Sequence, residues 1–165
     1  MKIVLRLLTL AALAALGVWL WTLLFPSPEK IIRSRLTNVA RTVSFAPQEG
    51  MLARAASAQK LAGYFALQTE VSIDLPGREQ HDFAGRDEIA QAALLARNRF
   101  RALQVEFLDV QVSLAPDQQS AVVNLTAKAR AADEKDFFVQ EMKFTLKKTD
   151  GDWLISHVET IKTLQ

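Results

Sequence analysis

Two ionisable residues stand two positions apart near the end of the chain, His157 and Glu159. On a β-strand such residues point to the same face, so their side chains would share one surface. An imidazole beside a carboxylate can act as an acid/base pair, particularly where burial changes their pKa values. Tyr64 and Asp74 could add a hydroxyl and a second carboxylate. These four are the candidate catalytic residues; the alternative is that His157 and Glu159 are hydrogen-bonded structural residues or lie near an open rim.

A β-hairpin is the element that must position His157 and Glu159. Two runs typical of strands, residues 137–147 and 153–161, are joined at Asp150-Gly151. Asp-Gly favours a two-residue type I′ turn, because both central residues of that turn need positive φ. The hairpin register then decides which side chains share a face with the two candidates.

Regular pairing across this hairpin predicts a mainly apolar face that contains the ionisable residues. It pairs Leu146 with Ile155 and continues along the strands with Phe144 opposite His157, Met142 opposite Glu159, and Gln140 opposite Ile161. A pocket above this face would be lined by Tyr64, Phe65, Asn124, Gln140, Met142, Phe144, Trp153, Ile155, His157 and Glu159. An apolar small molecule is the ligand that such a pocket would suit.

The N-terminal end of the chain predicts a membrane anchor. Residues 1–6 form a short basic head, and residues 7–25 are apolar apart from two threonines and a glycine. At about 1.5 Å per residue a helix of this length just crosses a bilayer core of roughly 30 Å. The alternative is a cleaved signal peptide, although the run is longer than a usual signal core. We therefore expect a single-pass membrane protein that contacts the lipid bilayer through residues 7–25. Basic residues lie on both sides of this run, so the positive-inside rule does not decide its orientation. The short basic head resembles a signal anchor, which places the domain outside the cytoplasm.

Residues 26–165 read as one α+β domain with helices on one face of a mainly antiparallel sheet. A helix begins at Ser27-Pro28-Glu29, where an N-cap, a proline and an acid follow one another. The further pattern predicts helices at 51–66 and 87–101, and strands at 70–75, 80–83, 103–114 and 120–130 before the hairpin. The alternation changes phase at residues 107–108, which indicates a bulge.

Basic residues mark two of these helices. Four of them, Lys30, Arg33, Arg35 and Arg41, follow the predicted anchor and would contact anionic lipid headgroups or simply solvent. Arg97, Arg99 and Arg101 surround Phe100 at the end of the third helix, where cations favour the helix dipole. No nucleic-acid motif accompanies them, so we expect a solvated helix end and no nucleic-acid partner.

Motifs for cofactor chemistry are missing from the sequence. It has no cysteine, phosphate loop, dinucleotide fingerprint, zinc-binding helix motif or nucleophile elbow. We therefore expect neither a cofactor nor a bound metal ion. The formal net charge of +2 is also too small to indicate a polyanionic partner.

Two short motifs and the element order resemble a known family. Residues 83–89, Phe-Ala-Gly-Arg-Asp-Glu-Ile, resemble the glycine-led entry into the third helix of nuclear transport factor 2-like proteins, which include the SnoaL-like group. Residues 151–157, Gly-Asp-Trp-Leu-Ile-Ser-His, resemble the last strand of that family. The resemblance implies a cone-shaped fold in which a curved sheet and helices can enclose a pocket, often with homodimerisation through the other sheet face. No catalytic motif of the family aligns with this chain residue by residue.

Three hypotheses for function follow. The first is a membrane-tethered, non-catalytic protein-assembly domain, an arrangement that resembles inner-membrane scaffold subunits of type IV secretion machines. The second is a domain that binds an apolar ligand without turning it over. The third is a small-molecule enzyme of the isomerase or dehydratase type, with His157 and Glu159 in the cone pocket.

Overall fold

Nine elements make up the part of the chain that the computed structural model describes, which is residues 16–17, 27–74, 80–132 and 137–161. In chain order they are α1 (Pro28–Val43), α2 (Met51–Ala62), β1 (Phe65–Ile73), β2 (His81–Ala84), α3 (Gly85–Arg99), β3 (Leu103–Leu114), β4 (Ser120–Ala131), β5 (Phe138–Thr149) and β6 (Asp152–Thr160). The α+β class and the order of elements agree with the sequence prediction.

The predicted start of α1 is confirmed. The Ser27 hydroxyl accepts a hydrogen bond from the Lys30 backbone N–H at 3.4 Å, and proline and Glu29 occupy the first turn. Residues at helical spacing along α1, Ile32, Leu36 and Val39, are buried. This apolar stripe packs α1 against the sheet.

The six strands form one sheet in the order β2-β1-β6-β5-β4-β3. Every neighbouring pair is antiparallel except β1 and β6, which run parallel. The sheet is curved, and the helices cover one face of it. The core between them includes Leu36, Val123, Leu146, Trp153 and Ile155. Trp153 is only 2 % exposed, so a large aromatic ring occupies the interior that a cone pocket would need.

The turn of the closing hairpin is the predicted one. Asp150 and Gly151 both have positive φ, 52° and 90°, and Thr149 pairs with Asp152 across them. The first predicted pairing, Leu146 with Ile155, is confirmed. Beyond it the register departs from the prediction.

A bulge at Ser156 shifts the rest of β6 by one residue. Thr145 pairs with His157, and Phe144 pairs with Val158. Because one extra residue moves every following side chain to the other face, Val158 enters the core and His157 leaves it. The physical reason is that a buried isopropyl group stabilises the fold, whereas a buried imidazole without a partner would cost free energy.

The other predicted pairings of this hairpin are therefore wrong. Lys143 pairs with Glu159, and Met142 pairs with Thr160 instead of Glu159. The Ile161 backbone N–H donates to the Glu141 carbonyl instead of pairing with Gln140. His157 and Glu159 thus do not share the face of Met142 and Phe144.

β1 departs from regular pairing at the same level of the sheet. Phe65 pairs with Ile155 and Glu70 with His157, so residues 66–69 of β1 lie opposite the single bulged Ser156. The Arg86 guanidinium donates two hydrogen bonds to the Phe65 carbonyl, at 2.6 and 3.1 Å. Arg86 stands in the first turn of α3, which begins at a glycine with φ +84°. This positive φ explains the glycine of the predicted helix entry.

Several predicted boundaries are corrected. α2 ends at Ala62 instead of residue 66, because Phe65 already pairs with Ile155 in the sheet, and β1 accordingly begins before residue 70. α3 ends at Arg99 instead of residue 101. The predicted bulge in β3 is present between Leu108 and Gln111, where Asp109 has a φ of 52°.

The predicted anchor, residues 7–25, lies outside the described residues except for positions 16 and 17. Among the described residues no helix combines the length and apolar character that crossing a membrane requires. The alternative of a cleaved signal peptide concerns the same residues, so it also lies outside the described part of the chain.

Candidate functional site

One row of polar side chains crosses all six strands on the open face of the sheet, opposite the helices. The strand registers align it in the order Asp82, Ser72, Glu159, Lys143, Asn124 and Gln111. Val71, Val158 and Phe144 form the neighbouring row, point the other way and belong to the core. We call this alignment the open-face row.

His157 lies next to the open-face row, between two carboxylates. Its Nδ1 is 3.6 Å from Glu70 Oε2, and its Nε2 is 3.6 Å from Glu159 Oε2. These separations are longer than ordinary hydrogen bonds, so the contacts are electrostatic. Only the protonated imidazole has a proton on both nitrogens. The His157 side chain is 36 % exposed, which places it at a solvated surface.

Glu159 forms a close ion pair with Lys143, whose Nζ is 2.9 Å from Glu159 Oε1. The hydrogen bond from Lys143 lowers the pKa of the Glu159 carboxyl below its usual range, with smaller contributions from the charges of Lys143 and His157, while desolvation opposes the change. A carboxylate held ionised in this way is a poor proton donor.

A second ionised carboxylate, Asp82, begins the open-face row on β2. The Ser72 hydroxyl donates to Asp82 Oδ1 at 2.6 Å, and the Gln80 amide donates to the same oxygen at 3.1 Å. These two hydrogen bonds lower the pKa of Asp82 below its ordinary value, and the one from Ser72 has the larger effect. The carboxylate is thus fixed in its anionic form and in one orientation.

A groove of about 360 Å³ lies beside His157, where β1, β2 and the start of α3 meet. Its polar lining comes from Glu70, Ser72, Asp82, Glu88 and His157. Glu88 also accepts a hydrogen bond from the Ala84 backbone N–H at 2.7 Å, which fixes it at the helix start. Among the described residues no group of three histidine or acidic side chains has a geometry that could hold a metal ion.

Four of the predicted pocket-lining residues are part of the core instead. Phe65, Phe144, Trp153 and Ile155 are all buried and belong to one cluster. Met142 is partly buried against the same cluster. These side chains fill the helix side of the sheet where the sequence predicted a pocket.

The remaining candidates lie apart from one another. Asn124 is exposed on the open-face row beside Lys143, and the Gln140 amide donates to the Ile161 carbonyl at 3.0 Å. At the end of β1, the Asp74 backbone N–H donates to Thr160 Oγ1 at 3.1 Å. Tyr64 lines a different groove, against α1. The structure therefore places His157 and Glu159 side by side and adds Glu70 and Lys143 to them.

A larger groove, about 550 Å³, runs between α1 and the edge strand β3. Leu36, Ala40, Val105, Phe107 and Val110 give it an apolar lining. Two arginines stand at its rim, and one of them, Arg33, donates to the Val110 carbonyl at 2.6 Å. The groove has the chemistry to hold an apolar molecule.

A buried ion pair was missed from the sequence. Arg97 is 3 % exposed and its Nη1 lies 2.6 Å from Glu49 Oε2, so the expectation of a solvated arginine is wrong here. It also donates to the Thr42 carbonyl and stacks on the Phe45 ring at 4.9 Å. Its position eight residues after Ile89 places it on the buried face of α3, a spacing that could have predicted the burial.

Comparisons with known proteins give the fold. No family model matches the chain, and no curated protein sequence matches it either. Among solved structures, a candidate scytalone dehydratase from Novosphingobium aromaticivorans is similar, with a TM-score of 0.61, 18 % identity, and coverage of 82 % of this chain and 84 % of that one. The yeast UBP3-associated protein BRE5 gives 0.61 at 14 % identity, covering 84 % of this chain and 100 % of the other.

A third structural neighbour is itself described as a nuclear transport factor 2-like protein. A nuclear transport factor 2-like protein of unknown function from Pseudomonas putida has a TM-score of 0.60 at 12 % identity, covering 81 % of this chain and 85 % of that one. The domain therefore has the nuclear transport factor 2-like fold that the motifs at residues 83–89 and 151–157 predicted. Identities this low establish the architecture alone.

Proposed function

We propose that this chain is a membrane-tethered, non-catalytic protein-assembly domain that uses the open face of its sheet. The observation that supports this proposal is the open-face row, an ordered set of charged and polar groups on the surface that the helices leave uncovered. The tether is the apolar segment at residues 7–25. The domain would then face a partner beside the membrane, outside the cytoplasm.

The dimensions of the open face suit a protein partner. Six strands about 4.8 Å apart span roughly 25 Å, and strands of this kind, at about 3.3 Å per residue, extend roughly 30 Å or more. The resulting surface, on the order of 700 Å², approaches the roughly 800 Å² that each partner buries in a standard interface. A small-molecule pocket would need an interior space, and core side chains occupy that side of the sheet.

A second copy of this chain is the partner that the charges favour. Carboxylates concentrate on β1, β2 and β6, as Glu70, Asp82 and Glu159, while the open face of β5 and β4 carries the cations Lys143, Lys147, Lys128 and Arg130. Two copies related by a two-fold axis along the strands would place the acidic half of one against the basic half of the other. Glu106 and Glu141 lie within the basic half and weaken the contrast without reversing it. BRE5 is described as associated with another protein, which supports an assembly role for this fold.

Charge reversal tests the homodimer. In that arrangement Lys143 of one copy lies near Glu159 of the other, so Lys143→Glu should weaken self-association about tenfold, as a repulsion of about 1.4 kcal/mol requires. The double variant Lys143→Glu/Glu159→Lys should restore it, and Lys60→Glu, on the exposed side of α2, serves as the matched control. The measurement is the monomer–dimer equilibrium of the full chain in detergent, by analytical ultracentrifugation. A full-length chain that stays monomeric, or a dimer unaffected by Lys143→Glu, would contradict the proposal.

An enzyme of the isomerase or dehydratase type is the second candidate. This candidate function is supported by the position of His157, which lies between Glu70 and Glu159 at the edge of the groove of about 360 Å³. The neighbour from Novosphingobium aromaticivorans is a candidate dehydratase of the same fold. Incubation of the full chain with β-hydroxy carbonyl compounds, followed by mass spectrometry, should then show loss of water. His157→Ala and Glu159→Gln should abolish this turnover without unfolding the protein; activity that survives both changes would exclude these residues.

Binding of an apolar ligand would use the groove between α1 and β3. In that case Ala40→Phe, which fills the groove next to Phe107, should remove the increase in melting temperature produced by a fatty acid probe. The same substitution should leave a dimer formed through the open face unchanged. This contrast separates the ligand-binding hypothesis from assembly.

A further inference from the structure

Another groove, of about 370 Å³, lies between the outer side of α1 and Tyr64, and its lining combines the exposed apolar Ile31 with several polar side chains. Lys30, Ser34 and Asn38 stand four residues apart on α1, so they form one line along the helix, and Arg35 lies beside it. Tyr64, between α2 and β1, closes the groove from the side. None of these residues belongs to the open-face row.

The polar groups that line this groove can donate hydrogen bonds to a ligand. They comprise an ammonium, a guanidinium, two hydroxyls and an amide, and no carboxylate is among the described residues that line the groove. Within the described part of the chain, the side chains of Lys30, Ser34, Asn38 and Tyr64 make no hydrogen bond or ion pair. A set of donors with two positive charges suits an anion with several acceptor oxygens.

One of the two cations is held in place. The Arg35 side chain is only 17 % exposed, with its guanidinium 5.7 Å from the centre of the Tyr64 ring and Nη2 3.2 Å from Asp152 Oδ1. The Asp152 contact uses one nitrogen of the guanidinium, and its carboxylate is mainly exposed to solvent, which screens its repulsion of an anion. Arg33, by contrast, is committed to Glu29 and to the Val110 carbonyl.

We propose that this groove binds the phosphate group of an anionic lipid headgroup. The inference rests on the proposed tether, because residues 7–25 would end only five residues before Lys30. The three extended steps from residue 25 to the start of α1 at Pro28 and the two helical steps to Lys30 reach at most about 14 Å, and the polar layer outside the hydrocarbon core is roughly 6 Å thick. The first turns of α1 are thus within reach of the headgroups, and Lys30 to Asn38 spans about 12 Å along the helix. A free phosphate shares the chemistry, so the experiment must separate the two sources.

Tyr64 supplies a direct probe, since it is the only tyrosine in the chain. The full-length chain, labelled with 3-fluorotyrosine, is placed in nanodiscs of phosphatidylcholine with increasing phosphatidylglycerol, and the ¹⁹F resonance is followed. We expect a saturable shift with the anionic lipid and none in phosphatidylcholine alone. Inorganic phosphate added to the phosphatidylcholine discs should produce a smaller shift.

Matched variants locate the binding. Lys30→Gln and Arg35→Gln should each weaken the lipid response about fivefold, which is the usual contribution of one basic residue at an anionic surface. Arg41→Gln, on the same helix but at the groove beside β3, should change it little. Because Lys30 is exposed, Lys30→Gln is expected to fold even if Arg35→Gln does not.

Two results would overturn the proposal. A Tyr64 resonance that does not respond to phosphatidylglycerol, or responds equally in Lys30→Gln, excludes the groove as the lipid site. A response to inorganic phosphate that exceeds the response to the lipid excludes the lipid source. Failure of the chain to enter nanodiscs would instead refute the tether together with this inference, whereas the dimer equilibrium tests assembly separately.

Discussion

The position of His157 depends on the bulge at Ser156, and a pair of alanine substitutions on adjacent residues tests it. In the structure Val158 is 3 % exposed and pairs with Phe144, while the His157 side chain is 36 % exposed on the open face. Regular pairing without the bulge would reverse these two environments. Val158→Ala and His157→Ala therefore report which residue is in the core.

The expected magnitudes differ clearly. Val158→Ala removes two buried carbon atoms, at about 0.8 kcal/mol each, and leaves a small cavity, so we expect a loss of about 2 kcal/mol in the free energy of unfolding. His157→Ala removes two electrostatic contacts of 3.6 Å at a solvated surface. Such contacts contribute between about 0 and 1 kcal/mol.

Urea-induced unfolding of the full chain in detergent, followed by circular dichroism, measures both changes. Phe144→Leu, at the core partner of Val158, provides a reference for a conservative core change. We expect Val158→Ala to be the more destabilising of the two by at least about 1 kcal/mol. If His157→Ala costs more than Val158→Ala, the bulge is not at Ser156 and the imidazole belongs to the core.

Two further predictions concern the ion pairs. Lys143→Met should lower the free energy of unfolding by about 0.5 kcal/mol at neutral pH, because its pair with Glu159 is partly exposed. Lys143 lowers the pKa of Glu159 below its ordinary 4.5, so this loss should disappear as the pH falls below that value. Urea titrations at several pH values measure the change. A cost that persists in acid would exclude the pair as its cause. Arg97→Met should lower the free energy of unfolding by about 3 kcal/mol, because the mostly buried Glu49 carboxylate would lose its cation and keep the hydrogen bond from the Ser57 hydroxyl. The double variant Arg97→Met/Glu49→Gln should recover part of that loss, and no recovery would indicate lost packing instead.

The local signals in the sequence located the helices and the turn. Ser27 and Pro28 define the start of α1, and Asp-Gly at the hairpin defines the turn, because each depends on the backbone preferences of one or two neighbouring residues. Gly85 likewise marks the entry to α3 through its positive φ. These features needed no knowledge of distant contacts.

The candidate site required information that local patterns do not carry. In the predicted strand 153–161, Trp153, Ile155 and Ile161 are in phase with one another, whereas Val158 is out of phase with all three, and no glycine or proline marks the bulge. The same pattern accommodates both registers, so the choice between them depends on what lies across the sheet. Arg97 is comparable, since its burial depends on Glu49 in a distant loop.

β6 must satisfy two neighbours at once, and this explains why His157 reaches the open face. On one side Val158 pairs with Phe144 of β5, and on the other it pairs with Val71 of parallel β1. Both contacts place Val158 in the core, and the extra residue Ser156 makes this compatible with the burial of Ile155. The same shift moves His157 and Glu159 to the surface that the helices leave open. Filling of the interior between helices and sheet thus moves the ionisable groups to an exposed sheet face, and this displacement is what supports the proposed assembly surface.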